Sequence, residues 1–271
     1  MKNHLAAIQM VSTATVDENL KMAERLIREA VEQGALIVVL PENFACMGRK
    51  EQDKLRLIEP EGEGPIQHFI SSLSEELAVW IVAGTIPLKA NDKDKVTAAC
   101  LVFNEKGEQV ARYDKIHLFD VSLPDGSGNS YQESATIEKG RFPVVLDSPV
   151  GKLGLAVCYD LRFPELFREM LNSGLDVIAL PSAFTEETGR AHWEILLRAR
   201  AIENQCYLVA ANQGGLHENG RSTYGHSLIV GPWGEVLASK AKGEGVISAS
   251  FDQLEQARIR AEFPVLSHRQ N

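Results

Sequence analysis

The segment GKLGLAVCYDLRFPEL, residues 151–166, joins a short apolar run directly to Cys158 and then to the start of a helix. The apolar run predicts the end of a buried strand, and Phe163-Pro164-Glu165 predicts the first turn of the helix. A strand that ends on a thiol and turns into a helix presents a nucleophile at the edge of a sheet. A lone cysteine is more often an inert buried side chain, so Cys158 needs activating partners elsewhere in the chain.

Length and composition indicate an ordinary globular protein. The chain has 271 residues, enough for one large α/β domain over 1–271, and no linker or low-complexity tract divides it. Hydrophobic residues make up 44% and charged residues 24% of the chain, which is typical of soluble proteins. The net charge is −9 and the lysines and arginines form no run, which argues against nucleic acid as a partner.

Membrane and metal signals are weak in this sequence. No stretch approaches the roughly 18 apolar residues of a transmembrane helix, and MKNHLAAIQM predicts a first strand rather than a signal peptide. The cysteines are Cys46, Cys100, Cys158 and Cys206. They form no CxxC pair and no metal-ligand spacing with the seven histidines, so we expect no metal site. Reduced thiols and a cytoplasmic location are the expected setting.

The order of predicted elements favours two packed sheets. Continuous apolar runs at 35–40, 177–180 and 206–211 predict interior strands, and apolar residues three and four apart predict helices such as that at 190–204. Helix–strand repeats and strand-rich stretches occur in both halves of the chain. The pattern therefore predicts an α-β-β-α sandwich of two mixed sheets with outer helices, with an ordinary three-layer α/β domain as the alternative.

Two connecting segments carry further predictions. Residues 144–147 and 152–157 predict a hairpin around Pro149-Val150-Gly151. Residues 121–139 are polar and glycine-rich and predict a long loop over one end of the sheet, which is usually a functional feature in a compact domain. Its glycines do not form a phosphate loop, because no GK[ST] follows them.

Three polar residues stand where apolar strands stop. Glu42 follows LIVVLP, Lys115 follows VARYD and Cys158 follows GLAV, and sites in α/β folds form at the carboxyl ends of strands. Cys158 could attack an acyl carbon while Glu42 takes its proton. Lys115 and the backbone N–H of Tyr159 could stabilise the oxyanion. Taken one at a time, these residues also have structural interpretations. A glutamate in the position of Glu42 is typical of a helix cap, and a lysine in the position of Lys115 is typical of the protein surface.

Three segments together resemble the catalytic blocks of the nitrilase superfamily, the carbon–nitrogen hydrolases. They are PENF at 41–44, YDKIHLFD at 113–120 and CYDLRFPE at 158–165. The resemblance spans nearly the whole chain and implies an α-β-β-α sandwich, a Glu42/Lys115/Cys158 triad, no cofactor and a homodimer or higher homo-oligomer. Glu133, in Tyr131-Gln132-Glu133, matches a second glutamate near the site and is implied as a supporting catalytic residue.

The residues around the cysteine are most similar to one branch of this superfamily. Cys-Tyr-Asp replaces the Cys-Trp-Glu of true nitrilases, and the runs at 181–213 and 224–238 are similar to the Nit branch. This implies an amidase that cleaves the side-chain amide of the α-keto form of glutathione (deaminated glutathione) into 2-oxoglutarate and Cys-Gly. The alternative is an ω-amidase acting on 2-oxoglutaramate or another short ω-amide. Outside this class, the alternative is a catalytically silent binding or redox-sensing protein.

Such a substrate would be anionic, and candidate residues to bind it follow strand ends. Arg162 could hold a carboxylate in a bidentate way, although it is as typical of a residue that holds Asp160 or a helix end. Phe44, Phe184 and Thr185 could line the pocket, with core packing as the alternative for both phenylalanines.

The remaining histidines and helix charges are expected to be structural. No motif links a histidine to Cys158, so a papain-like Cys–His enzyme fits poorly. His117 and His226 are expected to be hydrogen-bonded in or near the core. On the helix at 190–204, His192-Trp193-Glu194 and the charges at 198–203 are expected to stabilise the fold or a subunit contact.

Overall fold

The computed structural model of the chain describes residues 3–122 and 130–270. Within them the strands are β1 (His4–Gln9), β2 (Ala35–Val39), β3 (Trp80–Val82), β4 (Ile86–Lys89), β5 (Val96–Phe103), β6 (Gln109–Asp114), β7 (Asp120–Ser122), β8 (Ser130–Gln132), β9 (Val144–Ser148), β10 (Gly151–Leu155), β11 (Val177–Ser182), β12 (Tyr207–Asn212), β13 (Ser227–Val230), β14 (Val236–Lys240) and β15 (Gly245–Ser250). The α-helices are α1 (Val16–Glu32), α2 (Pro65–Leu77), α3 (Pro164–Leu171), α4 (Glu186–Asn204) and α5 (Gln253–Glu262).

The strands form two large mixed sheets. The first has the order β15-β1-β2-β3-β5-β4, with β6 also paired to β5, and the second has the order β14-β13-β12-β11-β10-β9. The interior strands β1-β2-β3 and β10-β11-β12 run parallel, while the edges are antiparallel. A separate hairpin consists of β7 and β8. Parallel interior strands bring their carboxyl ends to one edge of each sheet, where the polar residues of the site follow.

Strand β1 has its two faces in two different cores. Leu5 and Ala7 belong to the core between the two sheets, whereas Ala6 and Ile8 belong to the core under α1 and α2. This alternation follows from the two-residue period of a strand. On the far side, α3 and α4 cover the second sheet with side chains such as Phe167. The predicted α-β-β-α sandwich is therefore confirmed.

Most predicted elements are present, with shifted ends. The hairpin of β9 and β10 is confirmed, with Gly151 opposite Ser148. Helix α4 begins at Glu186 rather than at 190, because the Thr185 side chain caps its first turn by accepting a hydrogen bond from the N–H of Thr188. Strand β4 and the 3₁₀ helix Glu51–Arg56 were not anticipated from the sequence pattern.

The segment at 121–139 is only partly a loop. Its described residues contribute to the β7–β8 hairpin and form the 3₁₀ helix Glu133–Ala135. The rest of that prediction, at 123–129, lies outside the described residues. Among the helices of the described ranges, none has the length and apolar character needed to cross a membrane.

Gly84 fixes the turn that carries Glu42. Its φ is +47°, and a Cβ at this position would lie 2.1 Å from the Pro41 carbonyl oxygen and 2.9 Å from the Phe44 ring. Only glycine allows the link between β3 and β4 to pass this close to the segment after β2.

We expect Gly84→Ala to lower the free energy of unfolding by about 2–5 kcal/mol, because the left-handed φ costs about 1–2 and the backbone clash about 1–3 kcal/mol. Gly62→Ala is the matched control, since Gly62 has a φ of +79° but no atom within 4 Å of the added Cβ. Urea unfolding of both variants measures the difference. Equal destabilisation of the two would show that the close approach at Gly84 is unimportant.

Candidate active site

Four polar side chains from separate segments meet at one end of the two sheets. Glu42 lies three residues after β2, and Lys115 directly follows β6. Glu133 begins the 3₁₀ helix after β8, and Cys158 begins a second 3₁₀ helix, Cys158–Arg162, after β10. The structure thus brings together all four residues that the sequence predicts for a catalytic centre.

Lys115 lies at the centre of this group and is only 1% exposed. Its Nζ donates to Glu42 Oε1 at 2.7 Å and to both carboxylate oxygens of Glu133, at 2.8 and 2.9 Å. Glu133 is held in turn by the backbone N–H of Phe119, which donates to Oε2 at 2.7 Å. The buried ammonium therefore has three charge-assisted hydrogen bonds.

Cys158 occupies a strained position beside the glutamate. Its φ is +49°, a left-handed value that is uncommon for a side chain with a Cβ. The sulfur lies close enough to the Glu42 carboxylate and to the backbone of Ala183, which directly follows β11, for both groups to affect its pKa. The strand before it, β10, ends at Leu155, so the turn that carries the thiol is longer than the sequence predicts.

The charges of the group set its protonation state. Burial disfavours the ammonium of Lys115, but the Glu133 and Glu42 carboxylates outweigh it and hold the Lys115 pKa well above its usual value. Burial is the largest single influence on Glu42 and opposes its ionisation. The charge and hydrogen bond of Lys115, with smaller contributions from Cys158 and Arg221, together outweigh burial and lower the pKa of that carboxyl. Burial, and then the Glu42 charge, raise the pKa of the Cys158 thiol despite Lys115. The resting group is an ionised Glu42, a charged Lys115 and a neutral thiol.

Asp160 joins the lysine segment to the cysteine turn. It is fully buried, and its Oδ2 accepts from the Tyr113 hydroxyl at 2.7 Å and from the Val157 N–H at 2.8 Å. Its Oδ1 accepts from the His117 N–H at 3.0 Å and lies 2.7 Å from His117 Nδ1. Tyr113 and His117 lie two residues on either side of Lys115, so one carboxylate fixes both segments.

A cavity of about 660 Å³, measured to its open mouth, lies above these residues. Arg162, Phe184 and Thr185 line it, as the sequence predicts. The Arg162 guanidinium lies 5.3 Å from the Phe184 ring centroid and 5.7 Å from that of Tyr159, and its Nη1 is 3.1 Å from His192 Nδ1. It has no hydrogen bond to Asp160 in the described structure, so the interpretation that Arg162 holds Asp160 is wrong.

The placement of Phe44 in the pocket is also wrong. Its side chain is fully buried in the core under the first sheet and is absent from the described lining of the cavity. Asn43, between Glu42 and Phe44, has a φ of +58°. The left-handed residue turns the chain there, so Glu42 contacts the site while Phe44 packs in the core.

Arg221 is the main residue that the sequence did not reveal. It lies in the loop between β12 and β13 and lines the cavity together with Tyr131, whose ring centroid is 5.4 Å from its guanidinium. Its Nη2 donates to the Ala183 carbonyl at 2.5 Å. The residues around it form a polar loop with no recognisable motif, so only the fold places this cation near Cys158.

The lone histidines are structural, as expected. His226 Nδ1 lies 2.8 Å from the Tyr224 carbonyl, and the His117 ring stacks on Phe163 with centroids 3.7 Å apart. Neither contacts Cys158 in the described structure. Within residues 3–122 and 130–270, no group of three or more His, Cys, Asp or Glu side chains is arranged to hold a metal ion.

Comparison with known families agrees with this architecture. The model of the carbon-nitrogen hydrolase family matches residues 4–260. The chain therefore belongs to the carbon-nitrogen hydrolase family, and it is an amidase of the nitrilase superfamily. The resemblance of the three short segments to this superfamily is confirmed over nearly the full length.

Individual relatives place the chain near the Nit branch. It is 43% identical to a deaminated glutathione amidase of Synechocystis, over 99% of both chains. The crystal structure of the C. elegans NitFhit protein matches 99% of the chain with a TM-score of 0.90 and 35% identity, although the chain spans only 65% of that longer protein. Saccharomyces cerevisiae Nit3, a member of branch 10 of the nitrilase superfamily, matches with a TM-score of 0.88 and 29% identity, covering 99% of this chain and 97% of the yeast chain.

Asp160→Asn should destabilise the protein by about 2–5 kcal/mol, because the amide nitrogen would replace an oxygen that accepts two hydrogen bonds and leave two buried donors unpaired. Asp252→Asn is the control: Asp252 caps α5 through the Glu255 N–H, and asparagine caps a helix equally well. Urea unfolding measures both. An Asp160→Asn variant as stable as the control would exclude the proposed coupling of the two segments.

Glu42→Gln should lower the pKa of Cys158, because it removes a negative charge that opposes the thiolate while Lys115 remains. A lower pKa means more thiolate at neutral pH, so iodoacetamide should alkylate Cys158 faster in the variant. The pH dependence of alkylation, followed by mass spectrometry, measures the shift. Glu51→Gln is the control, since Glu51 also lines the cavity but pairs with Lys54 at 2.8 Å. Unchanged or slower alkylation of Cys158 in Glu42→Gln would contradict this electrostatic assignment.

Proposed function

We propose that the chain is a deaminated glutathione amidase, which cleaves the amide between the 2-oxoglutarate part and the Cys-Gly part of its substrate. The single observation that supports this most is the full-length identity of 43% with an enzyme of that name. The cavity adds a chemical reason, because a neutral thiol, a general base and two arginines without carboxylate partners among the described residues lie together in it. The proposal treats residues 1–271 as one catalytic domain that needs no cofactor or metal.

In the first half of the proposed reaction, Cys158 Sγ attacks the amide carbonyl carbon while its proton moves to Glu42. The carbonyl oxygen gains negative charge, and Lys115 Nζ and the backbone N–H of Tyr159 stabilise it. The C–N bond then breaks, and Glu42 returns the proton to the leaving nitrogen. Cys-Gly departs with a free amine, and the 2-oxoglutarate part remains on the enzyme as a thioester.

In the second half, water attacks the thioester carbon and gives a proton to Glu42. The C–S bond breaks, the proton returns to the sulfur, and 2-oxoglutarate leaves. Glu133 has a supporting role throughout, because its two hydrogen bonds hold the Lys115 ammonium in place. A thiol that is neutral at rest requires this concerted use of Glu42, since no preformed thiolate is available at neutral pH.

The anionic acyl part of the substrate fits the position of Arg162. Its guanidinium lines the cavity, stacks on two aromatic rings and has no carboxylate partner among the described residues. A planar guanidinium held in this way can bind the keto-acid carboxylate through two hydrogen bonds. An ω-amidase acting on 2-oxoglutaramate would use the same acyl contacts, so that activity is the second candidate.

We also propose a homodimer or higher homo-oligomer in the cytoplasm. Ile195 and Ile202 on α4 are exposed by 71% and 49%, and Trp233 and Phe263 form an exposed aromatic pair with ring centroids 5.2 Å apart. Exposed apolar side chains of this kind favour a protein contact. The cytoplasmic location is supported by the need for a reduced thiol at Cys158.

The proposed function predicts a kcat/KM for deaminated glutathione at least about tenfold higher than that for 2-oxoglutaramate, since only the former fills both sides of the cavity. Coupled assay of 2-oxoglutarate release measures both values. A higher value for 2-oxoglutaramate would favour the ω-amidase instead.

A substitution of the nucleophile tests the thiol mechanism. Cys158→Ala should abolish turnover of both substrates while the circular dichroism spectrum stays unchanged. Mass spectrometry of the quenched wild-type enzyme should detect the acyl adduct on the peptide that contains Cys158. Full activity of Cys158→Ala would leave only a catalytically silent or redox-sensing role for this thiol.

A further inference from the structure

Two arginines line the cavity without a carboxylate partner in the described part of the chain, and they differ in their neighbours. Arg162 lies against Tyr159 and Phe184, and it shares the lining of the cavity with Cys158. Arg221 lies instead over Tyr131. It also lines a small side recess, formed by residues of the segment 43–54 with Asn219 and Arg221, to which Arg162 does not contribute.

Arg221 has unused hydrogen-bonding capacity. One Nη donates to the Ala183 carbonyl, but its Nε is buried and donates to no acceptor in the described part of the chain. No described carboxylate lies within ion-pair distance of it, and the two glutamates that line the cavity nearby, Glu51 and Glu42, pair with Lys54 and Lys115 instead. A buried donor without a partner among the described residues is costly, so this guanidinium is suited to binding an anionic group of the substrate.

The proton transfer from Glu42 to the leaving nitrogen indicates which part of the substrate each arginine can bind. Glu42 must return its proton to the leaving nitrogen, so that nitrogen lies on the Glu42 side of the reacting carbon. Arg221 is on this side, because it and Asn43, the residue directly after Glu42, both line the cavity and the side recess. The acyl chain leaves the reacting carbon in another direction, and Arg162, which lines the cavity but not the side recess, is available to bind it.

We propose that Arg221 is a specificity-determining residue that binds a carboxylate on the amine leaving group. This rests on the proposed function only in taking Glu42 as the proton donor and a peptide-like amine as the product. The two arginines then bind the two anionic ends of the substrate, one on each side of the scissile bond. An ω-amide such as 2-oxoglutaramate releases ammonia and leaves Arg221 without its anion.

The substrate itself tests the proposal without any variant. Wild-type kcat/KM is compared for deaminated glutathione and for its C-terminal carboxamide, which differs only in the lost leaving-group charge. We expect roughly a tenfold to hundredfold preference for the carboxylate, as is usual for a charge-assisted hydrogen bond. Equal rates for the two substrates would overturn the assignment.

Variants then identify the residue. Arg221→Gln should abolish the preference between carboxylate and carboxamide, and Arg221→Lys should restore part of it, because lysine keeps the charge but not the bidentate geometry. Arg25→Gln is the matched control, since it removes one arginine charge from α1, where Arg25 pairs with Glu244 far along the chain. A full preference retained in Arg221→Gln would show that another group binds the leaving carboxylate.

The two proposals fail in different ways. Turnover of 2-oxoglutaramate without turnover of either glutathione derivative would exclude the proposed function, and with it the role of Arg221. Turnover of both derivatives at equal rates would leave the proposed function intact and exclude only the role of Arg221.

Discussion

The buried ammonium of Lys115 is the constraint on which the site depends. A lone charge in this position would be strongly disfavoured, and only the carboxylates of Glu42 and Glu133 make its burial tolerable. Those two carboxylates come from the ends of different strands, so the sheets must be fully assembled before the cation is matched. Burial and the Glu42 charge together outweigh this cation at the neighbouring thiol, which therefore stays neutral at rest.

Asp160, which lies two residues beyond the nucleophile, likewise connects several segments through one buried carboxylate. One buried carboxylate accepts hydrogen bonds from the segment before the cysteine and from both sides of Lys115. The two short motifs YDKIH and CYD are therefore parts of one hydrogen-bonded unit. Their spacing within each motif follows from this geometry, because Tyr113 and His117 must both reach Asp160 while Lys115 points to the glutamates.

The sequence predicts the sandwich and three of the four polar residues because these follow from local signals, whereas Glu133 is implied only by the resemblance to the superfamily. Apolar runs define the strands, and Glu42, Lys115 and Cys158 stand directly beyond them. Phe44 was misplaced because the pattern cannot reveal the left-handed Asn43 that separates it from Glu42. Arg221 could not be predicted at all, since its position near Cys158 arises from the packing of a distant loop. The sequence therefore does not predict the directions of side chains after turns or the contacts between loops.

The left-handed backbone at Cys158 has a consequence for the evolution of this chain. A residue with a Cβ in that conformation costs about 1–2 kcal/mol relative to glycine, which adopts it freely. The thiol thus strains the backbone that carries it, so selection for activity and selection for stability oppose each other at this residue. The thiol is retained at the expense of fold stability, and the tightly hydrogen-bonded surroundings of the turn offset that loss.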